Sequence, residues 1–218
     1  MIEPSISHYV SPLVVVKKAD GKNRVCCDTR KINAVTVFDA EGIGSPQEIF
    51  DQLGNAQYFS KLDLSKGYWQ VPLTENAKPL TAFLAFDQLY QYCRMPFGLV
   101  NAPATFSRIM RKLLNNMEKV VNYIDDILVY TVTWEEHVEK LNELMKRLRD
   151  ANLTAKPSKC YFGFERVQFL GHMVEKGCRY PNPDKTEKIY NAPRPATKTQ
   201  LKYFLGLAGF YRQYIPNF

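Results

Sequence analysis

The segment Tyr123-Ile124-Asp125-Asp126-Ile127-Leu128 sets two adjacent carboxylates between short apolar runs. A tight hairpin turn favours Asn-Gly or Asp-Gly, whose backbones take positive φ at little cost. Two neighbouring aspartates repel one another and flanking apolar strands desolvate them, so a neutralising cation offsets the strain. Hard divalent ions such as Mg²⁺ take oxygen ligands and need few protein carboxylates when substrate phosphates supply the rest. Taken alone, the pair also fits an acidic turn open to water. Asp63 changes the balance. It lies in Tyr58-Phe59-Ser60-Lys61-Leu62-Asp63-Leu64, where a strand would put Leu62 and Leu64 on one face and Asp63 on the other. If that strand lies beside the hairpin, Asp63 and Asp125 can share the same ions. Two ions roughly 3.5–4 Å apart can clamp the attacking and leaving oxygens of a phosphoryl transfer. The alternative for Asp63 is an edge-strand aspartate in water.

The elements that must position these residues are legible in outline. Leu13–Val16 and Arg24–Asp28 read as two strands of a hairpin turned at Ala19-Asp20-Gly21-Lys22. Residues 39–46 read as a loop, and Ile49 and Leu53 share one side of a short helix. Tyr58–Leu64 is a strand, Lys66–Tyr68 a turn, Trp69–Leu73 extended, and Phe83–Tyr92 a strand or hairpin. From Ala104, Phe106, Ile109, Met110, Leu113, Leu114 and Met117 recur at helical spacing. Val120–Ile124 and Ile127–Tyr130 are strands with Asp125-Asp126 as the turn between them. Thr133 and Glu136 have capping-box spacing, and Trp134, Val138, Leu141, Met145 and Leu148 form the apolar stripe of the following helix. The chain is strand-like from Val167 to Val174. Prolines 181, 183, 193 and 195 mark a linker, and Leu201, Leu205, Ala208 and Tyr211 start a last helix. This order predicts an α+β fold with an antiparallel sheet.

Composition narrows the function classes. The 218 residues are ample for a buried core, and no run of eighteen apolar residues predicts a membrane span. Five cysteines with no C-x-x-C pair argue against a disulfide framework, and three dispersed histidines argue against a zinc site. The net charge is +7, and residues 131–218 carry fifteen Lys/Arg against nine Asp/Glu. A basic last third beside an acid-centred middle suits a polyanion binder with a metal site, and equally a solvated basic surface.

Five ordered strings carry a family resemblance over nearly the whole chain. Leu62–Val71 (LDLSKGYWQV) resembles the first catalytic motif of reverse transcriptases, and Met95–Phe106 (MPFGLVNAPATF) the segment that follows it in Gypsy-type long-terminal-repeat retrotransposons. Tyr123-Ile124-Asp125-Asp126 is similar to the Y-x-D-D hairpin, Phe169-Leu170-Gly171-His172 to the strand motif behind it, and Phe204–Arg212 to the segment leading from the thumb. The resemblance implies a right-hand polymerase fold: fingers over residues 1–60, palm over 61–175 with a fingers insertion around 74–95, and the start of a thumb over 176–218. It implies an RNA-directed DNA polymerase with two Mg²⁺ or Mn²⁺ ions, in which Asp63 and Asp125 are the firmest ligands, Asp126 lies nearer the second shell, and the Leu64 carbonyl completes a site. Lys17, Lys18, Arg24, Gly67, Tyr68 and Phe97 would meet the incoming deoxynucleoside triphosphate, with Tyr68 excluding a 2′-hydroxyl. Phe97 points to the retrotransposon branch. Tyr123, Ile124, Leu170 and Gly171 would meet the primer, with Gly171 allowing close backbone approach. Lys176, Arg179, Lys185, Lys188, Lys198 and Lys202 would contact template–primer phosphates. The family also implies residence in cytoplasmic virus-like particles with nuclear entry at integration, and no membrane partner.

Some positions depart from the family pattern. Glu41–Pro46 replaces a proline-leucine-proline segment, Thr29 stands where an aromatic residue is usual, and Arg94 where the family tends to be apolar. The chain is expected to belong to a longer polyprotein whose ribonuclease H and integrase regions it lacks, and to bind template–primer weakly and extend it poorly by itself. Two other readings stay in play: a decayed or domesticated fragment that binds nucleic acid without catalysis, and an RNA-dependent RNA polymerase, against which Tyr68 and the retroelement strings speak.

Overall fold

Alternation, turn residues and caps resolve, in the computed structural model of the chain, into strands and helices in mixed order; the structure describes residues 1–17, 21 and 23–218. They run β1 (Ile2–Pro4), β2 (Leu13–Lys17), β3 (Asn23–Cys27), α1 (Arg30–Val35), α2 (Pro46–Gln52), β4 (Tyr58–Asp63), β5 (Phe83–Ala85), β6 (Gln88–Tyr92) and α3 (Ala102–Leu113). Then follow β7 (Val120–Tyr123), β8 (Asp126–Thr131), α4 (Trp134–Asp150), β9 (Tyr161–Phe164), β10 (Arg166–Phe169), β11 (His172–Glu175), β12 (Cys178–Pro181), α5 (Pro183–Tyr190) and α6 (Lys198–Gly209). The central sheet has the order β7-β8-β4-β9, all antiparallel. Smaller sheets join β1-β6-β5, β10-β11-β12 and the β2-β3 hairpin.

The period-2 pattern of β4 and β8 divides the core. Leu62, Leu64, Ile127 and Val129 face α3 and α4 and pack with Phe106, Met110, Leu144 and Leu148. Phe59, Leu128 and Tyr130 face the other way, onto α2 (Ile49, Phe50, Leu53) and the β10–β11 hairpin (Val167, Phe169, Val174). Leu62, Leu64, Ile127 and Leu128 are fully buried, each contributing roughly 1.5–3 kcal/mol of apolar burial. Asp63, Lys61 and Asp126 lie on the second face, because Asp63 pairs with Asp126 and Lys61 with Leu128.

Several expectations are corrected. The turn expected at Lys66–Tyr68 is present, entered through Lys66 in the left-handed region (φ 52°), but it runs on as a 3₁₀ turn over Gly67–Gln70, so Trp69 and Gln70 are not extended. The 181–195 linker contains α5, because Asn182 caps its first turn by accepting from Asp184 N–H and Pro183 opens it. Helix α3 stops at Leu113, and Leu114 and Met117 are buried in the turn after it. The stripe of α4 is rotated: Trp134, Val138 and Met145 keep 47, 40 and 37% exposure, while His137 and Leu144 are fully buried. The cause is polar. His137 Nε2 meets Ser60 Oγ at 2.7 Å and Nδ1 meets Thr131 Oγ1 at 2.9 Å. In α6, Ala208 is buried, but Leu201 and Leu205 remain 45 and 49% exposed.

The departures from the family pattern acquire partners. Asp39 and Glu41 receive Arg108 at 2.6 and 2.5 Å, and Glu41 also Arg111 at 2.5 Å, tying the 39–46 loop to α3. Thr29 Oγ1 donates to Gly98 O at 2.7 Å, and Arg94 donates to Gln70 O at 2.7 Å. All five cysteines are free, and no helix among the described residues is long and apolar enough to cross a membrane.

Candidate active site

Strand β4 delivers Asp63 at its last residue, directly opposite Asp126, the first residue of β8. The hairpin turn is therefore Ile124-Asp125, not Asp125-Asp126, since Tyr123 pairs with Asp126. Ile124 takes φ 56°, a conformation that a β-branched side chain adopts only under constraint. Its neighbours supply that constraint: Leu64 N–H donates to Asp125 O at 2.9 Å, and the Ile124 side chain packs into the α3/α4 core together with Tyr68. Tyr123, one residue earlier, packs with Leu170 on the opposite core.

Behind the hairpin, Gly67 is held in close quarters. A Cβ there would lie 2.9 Å from the Phe106 ring and 3.1 Å from Asp125 Cβ, so a side chain would push on the turn that presents Asp125. Gly67 is buried and works by letting this turn close. Tyr68 lies between Phe106 and Phe97, with ring centroids at 5.6 and 5.3 Å. Burial and the nearby Asp125 push its hydroxyl above the ordinary tyrosine range.

The carboxylates share one field. Burial, then the charges of Asp126 and Asp63, hold the Asp125 carboxyl above the usual carboxylate range. Two lysines that sequence reading did not single out supply positive charge. Lys159 Nζ lies 2.8 Å from Asp63 Oδ2, and Lys61 Nζ lies 3.1 Å from Asp126 Oδ1. The Lys159 ammonium is raised above its ordinary range chiefly by its bond to Asp63. Strand alternation carried a signal for Lys61, two residues before Asp63. Lys159 carried none, because it returns from 96 residues away.

The donor set fits hard divalent cations, since it offers carboxylate oxygens whose mutual repulsion a cation relieves. Its present positions are not those of a closed site: among the described residues no group of three His, Cys, Asp or Glu side chains is spaced to hold a metal ion.

The other sequence-predicted residues are distributed around this centre. Lys17 ends β2 and is exposed on the β2–β3 hairpin; Arg24 pairs with Val16 in the ladder. Lys18, the Arg24 side chain and most of the Ala19–Lys22 turn lie outside the described residues. Leu170 (φ 44°) and Gly171 (φ 78°) form the β10–β11 turn. The close approach that Gly171 permits is taken up by Phe210, whose ring atoms would lie 3.0 Å from a Cβ, while Tyr211 Oη donates to Gly171 O at 2.5 Å. Leu170 and Tyr123 line one cavity of about 710 Å³ with Phe210 and Arg212. Lys176, Lys185, Lys188, Lys198 and Lys202 are exposed. Arg179 is engaged internally: it donates to Gln47 Oε1 at 2.7 Å and Gln213 Oε1 at 3.3 Å and stacks over Phe50 at 4.9 Å.

The site is thus an antiparallel sheet backed by helices, with aspartates at the end of one strand and at the tip of the adjoining hairpin. Residues 16–174 match the family described as reverse transcriptase (RNA-dependent DNA polymerase), and the chain belongs to that family. It is 40% identical over its full length to the retrovirus-related Pol polyprotein from transposon 297 of Drosophila melanogaster, and 34% identical to that from transposon gypsy of the same organism. It spans 21 and 22% of those relatives' lengths. Among solved structures, the foamy viral protease-reverse transcriptase in complex with double-stranded DNA is similar at a TM-score of 0.93 and 31% identity, over 100% of this chain and 46% of that one. The same viral protein in complex with an RNA/DNA hybrid matches at 0.89 and 29% identity, over 97% of this chain and 28% of that one. The fold expected from the motifs is thus the fold observed.

Proposed function

We propose that the chain is the polymerase portion of an RNA-directed DNA polymerase of a Gypsy-type retrotransposon Pol polyprotein, extending a DNA primer on an RNA or DNA template. The observation that carries this reading is the β4/β8 register, which sets Asp63 opposite Asp126 with Asp125 at the adjoining turn. In this reading, residues 1–60 are fingers, 61–175 palm with an insertion around 74–95, and 176–218 the start of a thumb. The β1-β6-β5 sheet supports the insertion by joining residues 2–4 to residues 83–92.

Asp63, Asp125, Asp126 and the Leu64 carbonyl would hold two Mg²⁺ or Mn²⁺ ions. Such ions supply charge neutralisation at the α-phosphate and ease deprotonation of the primer 3′-hydroxyl. The protein's own part is positioning. Lys17, Lys18 and Arg24 of the fingers hairpin meet the triphosphate as cations, Arg being suited to bidentate contact. Gly67 lets the turn close, and the Tyr68 ring, braced by Phe106 and beside Phe97, bounds the sugar side and excludes a 2′-hydroxyl. Tyr123, Ile124, Leu170 and Gly171 border the primer end. The nucleic-acid complexes of the foamy viral relatives support template–primer as the partner.

The test is primer extension on an RNA template with deoxynucleotides and Mg²⁺ or Mn²⁺, comparing the chain with Asp63→Asn. The variant should lose activity by at least about 100-fold, as when one preorganised electrostatic group is removed. Extension that survives Asp63→Asn sinks the reading. Absent extension with intact salt-sensitive binding in both proteins favours a nucleic-acid binder without catalysis.

A further inference from the structure

The carboxylate centre is charge-compensated by the chain itself. Lys159 stands at 2.8 Å from Asp63 and Lys61 at 3.1 Å from Asp126, and Asp125 feels the charges of Asp126, Asp63 and Lys159 together. The two lysines differ in freedom. The Lys61 side chain keeps 19% exposure, whereas that of Lys159 keeps 56%. Lys159 also borders the groove of about 960 Å³ that runs past Asp63, Tyr161 and Phe164, so its ammonium has open space beside it.

What holds Lys159 in place is independent of its charge. Lys156 N–H donates to Asp63 O at 2.8 Å and Ser65 N–H donates to Thr154 O at 2.9 Å. Gln70 staples the same segments together: its Nε2 donates to Ser65 O at 2.8 Å and Thr154 O at 2.9 Å, and its Oε1 accepts from Thr154 N–H at 2.7 Å. The turn Pro157–Lys159 then closes through Lys159 N–H to Lys156 O at 2.9 Å. The backbone from 154 to 159 is thus bonded to the Asp63–Gln70 segment without the ammonium. The ammonium can leave Asp63 while the turn stays folded.

We propose that Lys159 is a built-in counter-ion of Asp63, and that a divalent cation binding at Asp63 must displace the ammonium into the neighbouring groove. A cation and an ammonium cannot share one carboxylate oxygen region without repulsion, which at about 4 Å is felt even through water. Loading is therefore an exchange of one positive charge for another at Asp63, and Lys159 sets how much metal the free protein holds. Lys159 acts here through Asp63 and is a positioning residue.

The proposal rests on the metal-site reading above, and the experiment separates the two. Mn²⁺ binding to the full 218-residue chain is followed by the electron paramagnetic resonance signal of free Mn²⁺, without nucleic acid or nucleotide, for wild type, Lys159→Gln, Asp63→Asn and the double variant. Thermal melting confirms that each is folded. Lys159→Gln should bind Mn²⁺ about three- to tenfold more tightly, the range of a partly exposed ion pair plus the repulsion it removes. Asp63→Asn should abolish that gain in the double variant. Unchanged or weaker Mn²⁺ binding in Lys159→Gln, with Asp63→Asn still weakening it, overturns the counter-ion while leaving the metal site standing. Binding indifferent to Asp63→Asn removes the metal site and the counter-ion together.

Discussion

At the residue scale, Asp125 shows the tension between stability and chemistry. Its carboxylate is half-buried beside Asp63 and Asp126, and those charges with its burial raise its pKa. A raised carboxylate pKa means that the folded protein binds the proton more tightly than the unfolded chain does, so metal-free stability falls as pH climbs through that raised value. Asp125→Asn should therefore melt higher than wild type in chelator at neutral pH, by on the order of 1 kcal/mol or ~2–4 °C, while primer extension is lost. A variant that melts lower in chelator refutes the strained-carboxylate account. In the sequence the Asp125-Asp126 pair alone fits an exposed acidic turn as well as a metal site, and Asp63 with the ordered motifs tips the reading toward metal. The position of the turn is not legible there. Turn preferences point to Asp125-Asp126, since an isoleucine at φ 56° violates the local rule, and only bonds from Leu64 and packing beside Tyr68 enforce it.

The element scale turns on His137. Thr131 Oγ1 donates to Thr133 O at 3.0 Å, so it accepts from His137 Nδ1–H. Ser60 Oγ accepts from Gly163 N–H at 2.8 Å and donates to His137 Nε2. This chain ties β4, β8 and β9 to α4 and requires a neutral ring with the proton on Nδ1. Apolar periodicity missed the rotation of α4 because it counts histidine as polar, whereas a buried histidine with both nitrogens satisfied packs as core. Burial depresses the His137 pKa below its ordinary value, and that of His172 likewise. The unfolded chain then takes up protons that the folded one refuses, so stability is full above about pH 6.5 and is lost as pH falls from there through the depressed values. The expected slope is up to about 1.4 kcal/mol per pH unit for each histidine. His137→Gln should lower the melting temperature at pH 8 yet flatten the fall between pH 7 and pH 5. An unchanged acid slope would show that the network does not carry the titration.

At the scale of the whole molecule, the sequence disclosed which residues are basic but not which of them are free. Residues 131–218 hold most of the net charge, and Arg179 and Lys202 read alike as phosphate contacts. Tertiary structure separates them. Arg179 bonds Gln47 and Gln213 and stacks on Phe50, joining α2, β12 and the chain end, whereas Lys198 and Lys202 lie exposed on α6. Such long-range pairings, like the return of Lys159 to Asp63, leave no trace in local periodicity. They lead to opposite outcomes for substitutions of the same charge. Each phosphate contact contributes about −0.9 to the slope of log K against log salt on duplex DNA. Lys198→Gln with Lys202→Gln should therefore weaken duplex binding uniformly across sequences, shallow that slope by up to about 2, and leave the melting temperature within a degree or so. Arg179→Gln should leave the slope unchanged and instead cost about 1 kcal/mol, or ~2–4 °C, by removing the cation over the Phe50 ring and the bonds to two glutamines. Titrations of duplex binding from about 50 to 200 mM salt, with melts of the same preparations, test both. A slope that shifts with Arg179 and not with the lysines would place the nucleic acid on the β12 side rather than along α6.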